Sequence, residues 1–341
     1  MPFRDIVGHR RLVSLVARSI HHGTLPPSLI LAGPEGVGKR LLAISTAQAL
    51  NCQNPRTDAD PESVGLQIDA CGTCSPCSKI ARGVHPDVLV IEPGDTGSIK
   101  IDQVRDVIDR AGYRPFEGRR RVVIIDQADG LVAQAQNALL KTLEEPPSAS
   151  AFFLVTSRPD ALLPTVVSRC PRLRFRPLDA NDVASVLIKQ GRSEVEARAT
   201  AASADGSIGH ALATSGQDLV DARGVAVRVL SQAAGSDDGR RRLDSAKDLL
   251  ARTSGAGGAA DREQLAVNLR AMASLLRDAE VSATRATVAL ANPDVRQDIE
   301  RLASFTGERG VRAFTAVDQA LVALERNAGV KTVADWLVIQ L

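Results

Sequence analysis

Residues 33–40 read GPEGVGKR. Gly33, Gly38 and Lys39 have the G-x-x-x-x-G-K spacing, in which backbone N–H groups and a helix N-terminus wrap phosphate oxygens while the lysine supplies a point charge to the outer phosphates. Gly36 keeps the turn between them permissive. The next position of such a loop ordinarily offers a hydroxyl to magnesium, but here it is Arg40, whose guanidinium has no lone pair for a metal. A second defect accompanies the first. Asp126 ends the apolar run VVII, where a parallel sheet places the acid that helps hold magnesium water, yet Gln127 follows it, and an amide has no basicity with which to draw a proton from water. ATP or ADP could still rest on Lys39 and the glycine backbone. Hydrolysis by this chain is expected to be negligible.

A different chemistry is suggested by Cys52, Cys71, Cys74 and Cys77, the last three spaced C-x-x-C-x-x-C; Cys170 stands apart. Thiolates at this spacing can close on a tetrahedral zinc ion, with Cys52 arriving from the end of the preceding helix. Iron–sulfur ligation uses similar spacing and stays open, and His85 is an alternative ligand. Four ligands leave no open position, so the metal would be structural. The intervening residues 53–70, QNPRTDADPESVGLQIDA, are polar and turn-rich, as suits a surface excursion.

The elements that must position these residues follow from hydrophobic spacing. SLILA at 28–32 reads as a buried strand before the glycine turn, and a helix with Leu41, Leu42, Ile44 and Ala47 follows it. VHPDVLVIEP, RRRVVIIDQADG and AFFLVTS are further strands; IKIDQVRDVIDRAG and LVAQAQNALLKTLEEPP are helices, the second ending at its double proline. Strands alternating with helices argue for an α/β fold whose parallel sheet is covered on both faces. The sheet domain is expected to end near residue 177. DANDVASVLIKQ and SEVEARATAASADG then give two helices of a small lid at 178–213, and helices dominate 214–341, with an SGAGGAA break at 254–260. On the final long helix Val311, Phe314, Val317, Leu321 and Leu324 read as one apolar face, mainly core.

Composition limits the rest. At 341 residues the chain has room for two or three domains, and 44% hydrophobic with 24% charged residues is ordinary for a globular protein. Neither an apolar run of membrane-spanning length nor an export signal is seen in the sequence, so a cytoplasmic protein in a reduced compartment is expected. A net charge of +2 does not by itself announce nucleic acid. The runs Arg119–Arg121 and Arg240–Arg242 read as solvated element ends, and any DNA contact there would be with phosphates.

FRDIVGHRRLV, LPPSLILAGPEGVGK, the cysteine insert, VVIIDQAD, NALLKTLEEPP, VVSRC and LERNAGVKTVADWL together carry a resemblance. The chain resembles the delta-prime subunits of the bacterial DNA polymerase III clamp loader, within the extended AAA+ ATPase family; the last 130 or so residues match more loosely. The resemblance implies an AAA+ RecA-like domain at 1–177 with a four-cysteine zinc module at 52–77, a helical lid at 178–213 and an all-helical collar at 214–341. Ser168, Arg169 and Cys170 match the family's Ser-Arg-Cys motif, whose arginine touches the terminal phosphate of ATP bound by the neighbouring subunit. Thr156 and Ser157 match a phosphate-sensing position, and Gly209, in GSIGHAL, stands where motor subunits carry a phosphate-sensing arginine. Three catalytic parts, at Arg40, Gln127 and Gly209, thus depart from the motor pattern while the finger is kept. The implied partners are the tau/gamma motor subunits and the delta subunit, with the sliding clamp and primer-template DNA reached through the complex. Two rival readings are an active ATP-hydrolysing tau/gamma-like subunit and a zinc-dependent nucleic-acid-binding module on a vestigial nucleotide fold.

Overall fold

The computed structural model describes all residues except 58–64, 95–96, 214–215, 236–237, 252–257, 285, 287–289, 293–294 and 327, with backbone alone at 216, 259 and 325. It divides into two compact units, Met1–Asp182 and Val183–Leu341.

In the first unit the elements run α1 (Arg10–His21), β1 (Ser28–Ala32), α2 (Lys39–Asn51), β2 (Arg56–Thr57), β3 (Ile68–Asp69), α3 (Ser75–Ala81), β4 (Val88–Ile91), α4 (Ile101–Ala111), β5 (Arg121–Ile125), α5 (Ala133–Glu144), β6 (Ser150–Thr156), α6 (Pro164–Val167) and β7 (Arg172–Arg174). Five of the described strands form one sheet in the order β4-β5-β6-β1-β7, every pairing parallel. The strand side chains alternate between two cores. Ile30, Val123, Ile125, Phe152 and Leu154 pack with Val104, Val107, Leu139 and Val166 of α4–α6, whereas Leu29, Leu31, Val122, Ile124, Phe153 and Val155 pack with Val13, Val16, Leu42 and Ala47 of α1 and α2. Both faces are covered, which is why the strands read as unbroken apolar runs rather than as alternation. Helix α5 stops at Glu144 because Pro146 and Pro147 can neither donate nor allow the residue before them to stay helical. The short edge strand β7 and the antiparallel pair β2 and β3 inside the cysteine insert were not among the strands expected from sequence.

Helix α7 (Ala180–Lys189) crosses the division between the units. The second unit continues with α8 (Glu194–Ser203), α9 (Ile208–Ala213), α10 (Gly216–Gly235), α11 (Gly239–Leu249), α12 (Ala259–Thr284), α13 (Arg296–Arg301), α14 (Gly307–Glu325) and α15 (Val330–Gln340). Ser193 caps α8 by accepting from the Glu196 N–H at 3.3 Å. Residues 254–257 of the SGAGGAA break lie outside the described residues. The expected stripe on α14 is corrected. Val317 and Leu324 are buried, but Val311 is 63% and Phe314 44% exposed. The buried face is instead Ala313, Ala316, Val317, Ala320 and Leu324, so small alanines, which a reading by bulky residues passes over, define the core side.

Candidate functional site

The phosphate loop joins the carboxyl end of β1 to the first turn of α2. Gly36 has φ 67° and Gly38 φ 99°, a left-handed backbone that other residues adopt at a cost. A Cβ on Gly33 would stand 2.6 Å from the Phe175 carbonyl oxygen. Val37 is held from outside by His9, whose Nε2–H donates to the Val37 carbonyl at 3.0 Å while the ring packs edge-on against Phe175. Burial lowers the His9 pKa, which favours the neutral ring. The loop is therefore a braced cradle, and His9 was not singled out by sequence.

Lys39 is 7% exposed, and its Nζ donates to the loop carbonyls of Gly33, at 2.6 Å, and Pro34. Arg40 Nη1 lies 3.0 Å from Asp126 Oδ2 at the end of β5, and it also pairs with Glu92, which follows β4. The other Asp126 oxygen accepts from the Gln127 N–H at 3.0 Å. Gln127 is exposed, with φ 48°. A magnesium ion does not fit this arrangement: both oxygens of the strand-end acid are engaged and a fixed cation already faces it. The sensor-position residue Thr156 is buried. Its hydroxyl donates to Asp129 Oδ1 at 2.8 Å and accepts from the Arg158 N–H, and Arg158 in turn pairs with Asp129 Oδ2 at 2.9 Å. Ser157 is half-buried beside it. Glu92, Asp129 and Arg158 thus join the candidate residues, though no motif spacing marked them. Gly209 lies in α9, in the second unit.

Ser168 and Arg169 sit at the other end of the sheet. Residue Ile30 of β1 pairs with Arg172, the first residue of β7, and donates its N–H to the Pro171 carbonyl. Arg169 therefore lies in the turn that leads into the amino-terminal end of β7, whereas Gly33 follows the carboxyl end of β1. Its Nη1 donates to the Thr165 carbonyl at 3.0 Å and its Nη2 reaches Glu144 Oε2, on the last residue of α5, at 3.3 Å; Glu144 is 59% exposed. The Ser168 hydroxyl also donates to the Thr165 carbonyl. Cys170 is buried, which pushes its thiol up to about 11.

The same amino-terminal edge carries the cysteine cluster. The four Sγ atoms of Cys52, Cys71, Cys74 and Cys77 all lie within 4.8 Å of one another. A tetrahedron with metal–sulfur bonds of about 2.3 Å has edges of about 3.8 Å, so only small shifts would close it on an ion. Cys52 is the residue that ends α2, as expected. Cys71 Sγ accepts from the Cys74 N–H at 3.3 Å and from the Thr73 hydroxyl at 3.7 Å, and Cys52 Sγ from the Cys71 N–H at 3.2 Å. Burial raises the Cys71 thiol, but these donors outweigh it and bring it down to about 6; burial wins at Cys52, which rises to about 11, and at Cys77, also raised. A donor set of four sulfurs this close together could hold a metal ion. Asp69 and Arg4 brace it, Arg4 donating to Asp69 Oδ2 and to the carbonyls of Ala70 and Cys71.

Two expectations at this edge are corrected. His85 is not in the cluster: its Nδ1 accepts from the Asp87 N–H at 3.1 Å and its Nε2 lies 3.5 Å from Glu117. Arg119–Arg121 is not uniformly solvated either. Arg119 and Arg120 are exposed, but Arg121 is buried against Asp87 at 2.8 Å, because the first residue of a central strand points into a carboxylate that also accepts from the N–H groups of Phe116, Glu117 and Gly118. Arg240 and Arg241 are exposed at the start of α11, as expected, while Arg242 is half-buried. No described helix is long and apolar enough to cross a membrane.

Comparison with known proteins adds the following. The family described as "DNA polymerase III, delta subunit" matches residues 8–179. DNA polymerase III subunit gamma of Buchnera aphidicola is 32% identical over 216 residues, 62% of this chain and 56% of that protein. DNA polymerase III subunit delta' of Pseudomonas aeruginosa is 40% identical over 142 residues, 41% of this chain and 40% of that protein. The chain thus spans about half the length of the curated relatives it matches. A gamma subunit-related protein from Thermotoga maritima, of known crystal structure, is 18% identical with a TM-score of 0.43, covering 95% of this chain and 98% of that one.

Proposed function

Since the chain belongs to the DNA polymerase III, delta subunit family, we propose that it serves as the delta-prime subunit of a clamp loader, a hydrolysis-deficient AAA+ stator that lends Arg169 to a neighbour's ATP. The observation that carries this reading is the separation of the two ends of the sheet. The phosphate loop sits at one end and Arg169 at the other, held among the described residues only by Glu144 and a carbonyl. An arginine so placed serves a phosphate outside its own chain. It would meet charge developing on the terminal phosphate, an effect worth about 10³ to 10⁵ in rate where such fingers act.

The inner site supports the complementary half of the proposal. In place of a magnesium ligand there is Arg40, in place of a general base Gln127, and in place of a sensing arginine Gly209. The hydroxyl at the sensor position, Thr156, is committed to Asp129 and to the Arg158 N–H. Zinc on Cys52, Cys71, Cys74 and Cys77 would act structurally, with no open coordination position. Residues 178–213 would serve as lid and 214–341 as collar. Val311 and Phe314 would then contribute to a collar contact with other subunits, since both are exposed on α14. The working assembly would be cytoplasmic and would contain tau/gamma motor subunits and delta, placing a sliding clamp on primed DNA.

A second reading, an active tau/gamma-like motor, is favoured by the gamma relative and by the intact Gly33, Gly36, Gly38 and Lys39. Purified protein separates the two. The stator reading expects ATP turnover at background for the isolated chain and a hetero-oligomer with DNA-stimulated ATPase once motor and delta subunits are added. Turnover by the chain alone that disappears with Lys39→Ala would establish the motor reading instead.

A further inference from the structure

The loss of the magnesium ligand at position 40 is accompanied by a gain. Strands β4 and β5 each run into an acid, Glu92 and Asp126, and both acids meet one guanidinium nitrogen, Nη1 of Arg40. Nη1 takes both contacts, so Nε and Nη2 have no protein acceptor among the described residues. Asp126 has its second oxygen on the Gln127 N–H, so the carboxylate is fully engaged on the protein. Arg40 is the second residue of α2, next to Lys39, at the positive end of the helix where the loop would carry phosphate oxygens.

A threonine or serine at position 40 would leave two carboxylates beside an anionic ligand, and only a divalent cation could then reconcile them. Arginine resolves the same conflict without an ion. We infer that Arg40 is a built-in counter-ion standing in for magnesium, so that the loop takes the phosphates of a nucleoside di- or triphosphate independently of any divalent cation. The inference rests on residues 33–39 acting as a phosphate cradle and deepens that part of the proposed function; it does not depend on Arg169. Such a site suits a subunit that holds nucleotide as a structural ligand. A metal-free triphosphate beside Gln127 has neither the ion nor the base that hydrolysis requires.

The test is equilibrium titration of the full chain with fluorescently labelled ADP, in excess EDTA and in excess magnesium, for the native protein, Arg40→Thr and Arg40→Lys. Thermal unfolding of each variant checks that it is folded. The native protein should bind equally in both buffers, within about twofold. Arg40→Thr should lose about tenfold or more in EDTA, the cost of removing a charged hydrogen-bond donor, and recover in magnesium. Arg40→Lys should keep much of its binding in EDTA, because the charge remains. Native binding that requires magnesium, undiminished binding of folded Arg40→Thr in EDTA, or no ADP binding in either buffer would each overturn the inference. None of these outcomes touches the Arg169 reading, which the assembled complex tests separately.

Discussion

The two ends of the parallel sheet are built on opposite terms. At the carboxyl ends of the strands, polar and charged groups of the loop and strand ends face other protein groups: Lys39 meets two loop carbonyls, Arg40 meets Asp126 and Glu92, and Thr156 meets Asp129. At the amino-terminal edge the framework is buried, with Asp87 gathering three N–H groups and Arg121, and the cysteine cluster braced by Arg4. Arg169 lies half-buried at this end, its Nη1 on the Thr165 carbonyl and its one ion pair among the described residues being with an exposed acid at 3.3 Å. The difference teaches where function lies. In the proposed reading Arg169 would leave Glu144 and the Thr165 carbonyl to act on a neighbour, while the internal pairing at the loop would favour holding a nucleotide over turning it over.

The comparison can be broken most severely at the cysteine cluster. Metal analysis should find about one zinc per chain. Chelation, or Cys71→Ser with Cys74→Ser, should destabilise the first unit by on the order of several kcal/mol, seen as a fall in Tm, since structural metal binding is coupled to folding. A visible charge-transfer spectrum would identify iron–sulfur instead. Next comes Asp87→Asn, which leaves the buried Arg121 without its charge partner and should cost about 3 kcal/mol in denaturant unfolding. Burial alone would raise the Asp87 carboxyl, but Arg121 and the three N–H groups hold it down to about 2 from 3.8. Its contribution is therefore complete above pH 3.8 and is lost as pH falls through about 2. In Asp87→Asn that part of the acid transition should disappear.

Smaller changes sharpen the contrast at each end. Thr156→Val strands the second Asp129 oxygen and the Arg158 N–H and should cost about 1–2 kcal/mol, with no change in ATPase of the complex if the hydroxyl is a structural group. Glu144→Ala should change stability by less than about 1 kcal/mol, because the pair is exposed. A larger loss would mean that Arg169 is a structural residue of its own edge.

Much of this was legible in sequence because the signals are local. The β1–loop–α2 unit, the four-residue apolar run ending before Asp126, the proline stop of α5 and the four thiols all depend on neighbours in the chain. What stayed hidden depends on residues distant in sequence. Arg121 reads as one of three arginines until the fold brings Asp87 beneath it, and His85 looks like a ligand until the Asp87 N–H donates to its Nδ1 and Glu117 faces its Nε2. Glu92, Asp129 and Glu144 acquire meaning only through partners between 25 and 52 residues away. On α14, alanines rather than large side chains mark the core, so the apolar stripe pointed partly to the surface.

The most direct measurement of the division between the two ends is ATP turnover of the assembled complex carrying Lys39→Ala or Arg169→Ala in this subunit alone. The account predicts that Lys39→Ala leaves turnover as it was, while Arg169→Ala assembles normally and slows it by about 10³-fold at the site it serves. Turnover that falls with Lys39→Ala and survives Arg169→Ala would contradict it, for the chemistry would then lie at this chain's own phosphate loop.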